Sequence, residues 1–80
     1  MFDYEIVENL FRIPRGDSMA LELNIIAWGR YAPKLDLRLW RREGGQDIPG
    51  KGFTLSLEEA ETVANVLSGY LADLPADLSS

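Results

Sequence analysis

The sequence predicts an α+β fold: a four-stranded, curved antiparallel sheet followed by one C-terminal helix, in the order β-β-β-β-α. Residues 2–55 form short runs of alternating apolar and polar side chains, and turn-forming residues separate these runs. Residues 14–33 offer no helical pattern, so no helix lies between the first strands. After Ser56 the apolar residues recur every three or four positions, which is the spacing of an amphipathic helix.

The first two strands are predicted at residues 2–13 and 19–28. The first run is rich in strand-forming types, and its alternation slips near Val7, as a bulge or a weakly specified edge strand would cause. Residues 14–17, Pro-Arg-Gly-Asp, form a turn. The second run alternates without a slip, so it has two distinct faces.

The third strand is predicted at residues 34–41 and begins after Pro33, which fixes the chain before it. Residues 42–51 contain three glycines and a proline, and they are interpreted as a longer loop. A short fourth strand follows at residues 52–55.

The helix begins at a capping box. The Ser56 hydroxyl can accept a hydrogen bond from the Glu59 amide while the Glu59 carboxylate reaches back to Ser56. Pro75 is predicted to end the helix, and residues 76–80 to form a frayed tail after a single domain of residues 1–75. The apolar stripe consists of Ala60, Val63, Ala64, Leu67, Tyr70, Leu71 and Leu74.

Two tryptophans fall on the face of the predicted sheet that carries polar residues. In the third strand Leu35, Leu37 and Leu39 point one way, while Trp40 points the other way with the charged residues. In the second strand Trp28 likewise points to the polar side, and the aliphatic residues of that strand point to the other side. An open sheet with aromatic and cationic side chains on its outer face is typical of a surface on which nucleic-acid bases stack.

The size of the chain favours a dimer. A chain of 80 residues buries only roughly 60% of its unfolded surface, and this one has no cysteine with which to form a disulfide. We therefore expect a homodimer whose interface includes the apolar helix. The predicted interface residues are Val63, Leu67, Tyr70, Leu71 and Leu74.

The charge is unevenly distributed along the chain. The net charge is −5, but residues 30–51 hold six basic and three acidic residues, a balance of +3, and the rest of the chain is −8. This asymmetry can create one positive face on an acidic body, although an ordinary mixed surface is an alternative interpretation. No targeting or membrane-spanning segment is visible, so we expect a cytoplasmic protein with the nucleoid as one candidate location.

Two segments resemble parts of a known family. They are Pro33 to Trp40, with its Asp-x-Arg-x-Trp pattern, and Gly50 to Glu59, where Lys-Gly-Phe-Thr-Leu leads into the capping box. Together with Glu22-Leu23-Asn24, Trp28 and the strand order, they resemble the transcriptional positive cofactor 4 family, especially its short bacterial members, over roughly residues 4–72.

The resemblance implies a homodimer that binds single-stranded DNA across curved sheets, with the helices at the dimer interface. RNA is a second candidate ligand, and transcription proteins are candidate partners. Stacking and phosphate contacts are assigned to Trp28, Arg30, Tyr31, Lys34, Arg38, Trp40, Arg41, Arg42 and Lys51. We expect little sequence preference, because stacking tolerates every base.

Other functions are less consistent with the residues. Gly45 to Lys51 fits the phosphate-loop spacing, but Gly52 stands where a magnesium-binding hydroxyl is needed and a strand follows. The chain has no histidine or cysteine, so we expect neither an enzyme nor a cofactor or metal site.

The candidate site residues also have structural alternatives. Either tryptophan could be structural instead of binding a base, and Arg38 could simply pair with Asp36 or Glu22. The competing functional interpretation is a transcription-associated adaptor whose sheet binds a protein and binds nucleic acid weakly or not at all.

Overall fold

The computed structural model describes residues 3–75, and the predicted frayed tail at residues 76–80 lies outside them. It contains one antiparallel sheet of strand order β1-β2-β3-β4 and one C-terminal helix, which confirms the α+β architecture. The elements are β1 (Tyr4–Arg15), β2 (Met19–Trp28), β3 (Lys34–Glu43), β4 (Gln46–Leu55) and α1 (Leu57–Ala72).

The third and fourth strands form a tight hairpin, so the predicted loop at residues 42–51 is wrong. Gly44 and Gly45 both have positive φ angles, 58° and 79°, as the two central residues of a type I′ turn require. The turn lets β3 continue to Glu43 and β4 begin at Gln46. Arg42 and Asp47 face each other across the hairpin, and their side chains form an ion pair of 3.4 Å.

Three register shifts interrupt the ladders of the sheet. Two lie in the β1–β2 pairing, between Ile6 and Glu8 and between Asn9 and Phe11, and the first confirms the slip predicted near Val7. The third lies in the β3–β4 pairing, between Arg38 and Trp40. Bulges of this kind bend the strand and increase its twist.

The sheet is strongly curved. Trp40 pairs with Ala20, whereas Trp28 lies eight residues further along β2, about 26 Å away in a straight strand. A single ring, that of Tyr4, nevertheless lies 5.1 Å from the Trp28 ring and 5.6 Å from the Trp40 ring. Only a sheet bent towards this side brings the two ends so close.

Curvature buries the face that the alternation predicted to be exposed. We call it the aromatic face, and it carries Glu22, Asn24, Ile26, Trp28, Asp36, Arg38 and Trp40. Asn24, Ile26 and Asp36 are completely buried in it. The opposite side, the leucine face, carries Leu21, Leu23, Leu35, Leu37 and Leu39, and all five are only half-buried. In this chain the sheet folds over its aromatic face, while the leucine face has little cover.

The helix begins as predicted and ends earlier. Ser56 Oγ accepts a hydrogen bond from the Glu59 amide at 3.1 Å, and Glu59 Oε1 accepts one from the Ser56 amide at 2.8 Å, so the capping box is present. The helix ends at Ala72, three residues before Pro75, and the Asp73 amide donates back to the Tyr70 and Leu71 carbonyls.

The helix covers only one margin of the leucine face. It contacts mainly β4, and none of its described residues is buried. An apolar groove of about 310 Å³ remains between the helix and the sheet. Its lining residues are Phe11, Leu21, Leu23, Leu35, Leu37, Leu55, Ala60, Val63, Ala64 and Leu67.

We expect Gly52→Ala to destabilise the protein. A Cβ atom at this position would lie 2.5 Å from Arg38 Cα and Cβ and from the Leu37 carbonyl oxygen, which is too close for the backbones of β3 and β4 to keep their spacing. The free energy of unfolding in urea should fall by about 1–3 kcal/mol. Gly69→Ala is the matched control, because nothing lies within 4 Å of its Cβ and alanine favours a helix. An equal effect of the two substitutions would contradict the close approach at Gly52.

Candidate nucleic-acid interface

Trp28 lies at the end of β2 and is held in one orientation. Its indole Nε1 donates a hydrogen bond of 3.1 Å to Asp36 Oδ2, on the neighbouring strand. The Arg38 guanidinium carbon lies 5.0 Å from the ring centroid, within the range of a cation–π contact. The indole is half-buried, so it is fixed by the protein and still partly open to solvent.

Asp36 is the centre of this arrangement. Its carboxylate is completely buried, and it accepts bonds from Arg38 Nε at 3.0 Å, Arg38 Nη2 at 2.9 Å and the Trp28 indole. Arg38 Nη1 donates to the Gly50 carbonyl at 2.9 Å, which ties the guanidinium to β4 as well. A buried ion pair with charge-assisted bonds is rigid, because leaving either partner unpaired there is costly.

The same contacts limit what Arg38 can do for a ligand. We predicted Arg38 as a phosphate contact, but its side chain is only 16% exposed and its charge is balanced by Asp36. The alternative raised for it, pairing with Asp36, is what the structure shows. Arg38 therefore acts mainly by positioning Trp28.

Two open pockets adjoin Trp28. One has a volume of about 440 Å³ and is lined by Trp28, Arg38, Pro49, Gly50, Phe53 and Thr54. The other has a volume of about 240 Å³ and is lined by Trp28, Tyr31, Ala32, Lys34 and Thr54. Trp28 and Thr54 line both, and we call these two adjacent pockets together the Trp28 groove.

The predicted site residues divide into two groups. Trp28, Tyr31, Lys34 and Arg38 all line the Trp28 groove, and Tyr31 is 73% exposed. Arg30 lies in the turn between Trp28 and Tyr31, and Lys51 follows Gly50 in β4. Arg41 and Arg42 lie at the opposite end of β3, where they form exposed ion pairs with Glu43 and Asp47.

Three of these cations have free charges. Within residues 3–75, Arg30, Lys34 and Lys51 form no ion pair, and all three are exposed. Lys34 lines the Trp28 groove, while Arg30 and Lys51 are the sequence neighbours of Tyr31 and Gly50, which line it. Positive charge is therefore available there, although fewer cations contribute than the sequence suggested.

Trp40 does not lie on an exposed surface, contrary to the prediction. It is 3% exposed, and its indole Nε1 has no hydrogen-bond partner among the described residues. The bent sheet and the Tyr4 ring enclose it. In this conformation Trp40 cannot offer a ring face to a base, and its burial is what the structural alternative for one tryptophan expected.

Sequence reasoning missed Tyr4 and the buried polar side chains. Asn24 and Asp36 appeared to lie on a solvent-facing side because alternation cannot show which face a curved sheet encloses. Asn24 accepts a bond from Asn9 at 2.6 Å and donates one to Glu22 at 3.1 Å, so the buried amide is satisfied. The one sequence feature that indicated burial of that face was Ile26, an aliphatic residue among its polar residues.

The described part of the chain contains no cluster of three or more histidine, cysteine, aspartate or glutamate residues placed to hold a metal ion. Its helix is neither long nor apolar enough to cross a membrane. No family model matches the sequence, and no curated protein matches it.

We expect Asp36→Asn to destabilise the protein strongly. The amide keeps the shape of the side chain but leaves the Arg38 charge without a buried counterion, a loss of about 3–5 kcal/mol. Asp47→Asn is the control, because its exposed partner Arg42 lies 3.4 Å away, and it should cost at most about 1 kcal/mol. Urea unfolding of both variants tests this, and similar costs would show that Asp36 is not the anchor.

Proposed function

We propose that this protein binds single-stranded DNA, with little sequence preference, in the Trp28 groove. The observation that carries the proposal is the Trp28 indole, which Asp36 and Arg38 hold half-exposed between two open pockets. Tyr31 and Lys34 line the same groove and add a second aromatic ring and a free positive charge. RNA is a second candidate ligand of the same surface.

Stacking is the main attractive term in this proposal. A base stacked on an aromatic side chain contributes roughly 1–3 kcal/mol, whatever its identity. Because the Trp28 ring is already fixed by its neighbours, little side-chain entropy is lost when a base binds. Trp28 and Tyr31 therefore supply affinity without base-edge recognition.

Phosphate contacts are assigned to Arg30, Lys34 and Lys51. These side chains have no ion pair to break among residues 3–75, whereas Arg41 and Arg42 already face carboxylates. Three contacts on a single strand correspond to a log–log salt slope of about −2, at ~0.7 per contact. The acidic remainder of the chain weakens binding, so we expect modest affinity.

A homodimer is the second part of the proposal. The chain exposes 6328 Å², whereas a compact monomer of 9.0 kDa exposes about 4900 Å². Its radius of gyration is 14.8 Å, against about 11.6 Å for a compact chain of this length. The excess surface exceeds the ~800 Å² per partner that a stable interface buries.

The apolar groove between α1 and the leucine face is where the second copy would bind. Val63 and Leu67 line it, and Tyr70 and Leu71 continue the exposed stripe towards Leu74, which is half-buried. The apolar side of α1 is wider than its contact with β4. One helix can therefore pack against its own sheet and against a partner at the same time. This dimer would leave the Trp28 groove, on the other side of the sheet, free for ligand.

A protein-binding adaptor remains the alternative function. Burial of Trp40 and neutralisation of Arg38 remove two of the expected DNA contacts, which favours this alternative. It predicts that oligonucleotides do not bind at moderate salt. Links to transcription and a cytoplasmic or nucleoid location follow only from the family resemblance, and they are part of the proposal.

Lys34→Ala should weaken binding to a labelled oligo-dT and lower the magnitude of the salt slope by about 0.7, because it removes one phosphate contact. Fluorescence anisotropy at several salt concentrations measures both quantities. Arg42→Ala is the matched control, since it removes a cation of the same basic segment that is paired and lies at the other end of β3. Equal losses of affinity in the two variants would show that the oligonucleotide binds outside the Trp28 groove. Absence of binding by the unaltered protein would favour the adaptor.

Leu67→Lys should dissociate the dimer at micromolar concentration, because it places a charge in the apolar groove. Asn65→Lys adds the same charge to the opposite side of α1 and should leave the dimer intact. Sedimentation velocity distinguishes the two variants. A stable monomer for the unaltered protein would refute the dimer.

A further inference from the structure

Tyr4 fills the space between the two tryptophans of the aromatic face. Its ring centroid lies 5.1 Å from that of Trp28 and 5.6 Å from that of Trp40, with interplanar angles of 47° and 58°. Tilted aromatic pairs at these distances attract each other. One phenol ring therefore occupies a position from which a flat ring contacts both indoles.

Trp40 carries an unsatisfied polar group beneath this ring. Its Nε1–H is buried and has no hydrogen-bond partner among the described residues. A buried donor without a partner is unfavourable, so the enclosed position of Trp40 is maintained at a cost. A state in which this N–H reaches an acceptor, such as a phosphate or base oxygen, would remove that cost.

The segment that carries Tyr4 is only lightly held. β1 is an edge strand, and the shift between Ile6 and Glu8 separates its first three pairs from the rest of the ladder. Those pairs, Tyr4 to Ile6 against Ile26 to Trp28, are supplemented by one bond from the Gly29 amide to the Asp3 carbonyl at 2.8 Å. Tyr4 is itself half-buried, so its ring already borders solvent.

We propose that Tyr4 is a displaceable cover of the nucleic-acid site, whose ring is replaced by a base of the bound strand between Trp28 and Trp40. This inference rests on the proposed function and adds to it a closed and an open state. In the closed state only the outer part of Trp28 is available. In the open state Trp40 becomes a second stacking platform and its indole N–H gains an acceptor.

The cover competes with the ligand, so its removal should tighten binding. Tyr4→Val keeps a strand-forming residue and removes the ring. Its affinity for oligo-dT should rise by about threefold or more, because the ligand no longer has to displace a ring from its aromatic contacts within the protein. Tyr4→Phe keeps the ring and should bind as the unaltered protein does. Val7→Ala, an exposed position of the same strand, controls for general weakening of β1.

The outcomes separate this inference from the proposed function. If the unaltered protein binds and Tyr4→Val binds equally or more weakly, Tyr4 is not a cover and the inference is overturned while DNA binding stands. A gain of the same size in Tyr4→Phe would also overturn it, because the ring would then be irrelevant. If no protein in the series binds the oligonucleotide, the proposed function fails and the inference falls with it.

A measurement on the unaltered protein tests the same point without a variant. The indole N–H resonances of Trp28 and Trp40 can be followed by nuclear magnetic resonance during a titration with oligo-dT. Displacement of Tyr4 predicts that both resonances shift, since Trp40 gains a ring neighbour and an acceptor. A shift of the Trp28 resonance with an unchanged Trp40 resonance would overturn the cover.

Discussion

The buried Asp36 carboxylate is the interaction on which the rest of this structure depends. It accepts bonds from the guanidinium of Arg38 and the indole of Trp28, and Arg38 extends the connection to the Gly50 carbonyl. Residues from β2, β3 and β4 are thereby joined around one charge. The close approach of Gly52 to β3 permits this arrangement, because no side chain separates the strands there. The orientation of the candidate stacking ring thus follows from an ion pair in the sheet.

Curvature gives the two faces of the sheet different roles. Bending closes the aromatic face on itself, so polar residues and tryptophans form an enclosed layer with the Trp28 groove at its edge. The leucine face stays half-covered because α1 contacts mainly β4. A chain with so much exposed apolar surface is suited to association, and association through that face leaves the groove accessible. The proposed ligand site and the proposed dimer interface therefore lie on opposite sides of one thin sheet.

Much of the fold could be predicted from local patterns. The β2 boundaries, the capping box at Ser56 and the slip near Val7 each depend on neighbouring residues, and the structure has all three. The β3–β4 hairpin was missed because three glycines and a proline suggested a loop, although Gly44-Gly45 alone specifies a tight turn. The site was only partly predictable. Trp28, Tyr31 and Lys34 come together because they are close in sequence, whereas burial of Trp40 depends on curvature and on Tyr4, which alternation does not encode.

Photochemical cross-linking tests the central claim most directly. A single-stranded oligonucleotide that contains iodouracil reacts under long-wavelength ultraviolet light with an aromatic ring stacked on the modified base, and mass spectrometry identifies the residue. Binding in the Trp28 groove predicts adducts on Trp28 or Tyr31. Adducts confined to α1 or the leucine face, or no adduct at concentrations that saturate binding, would contradict the account.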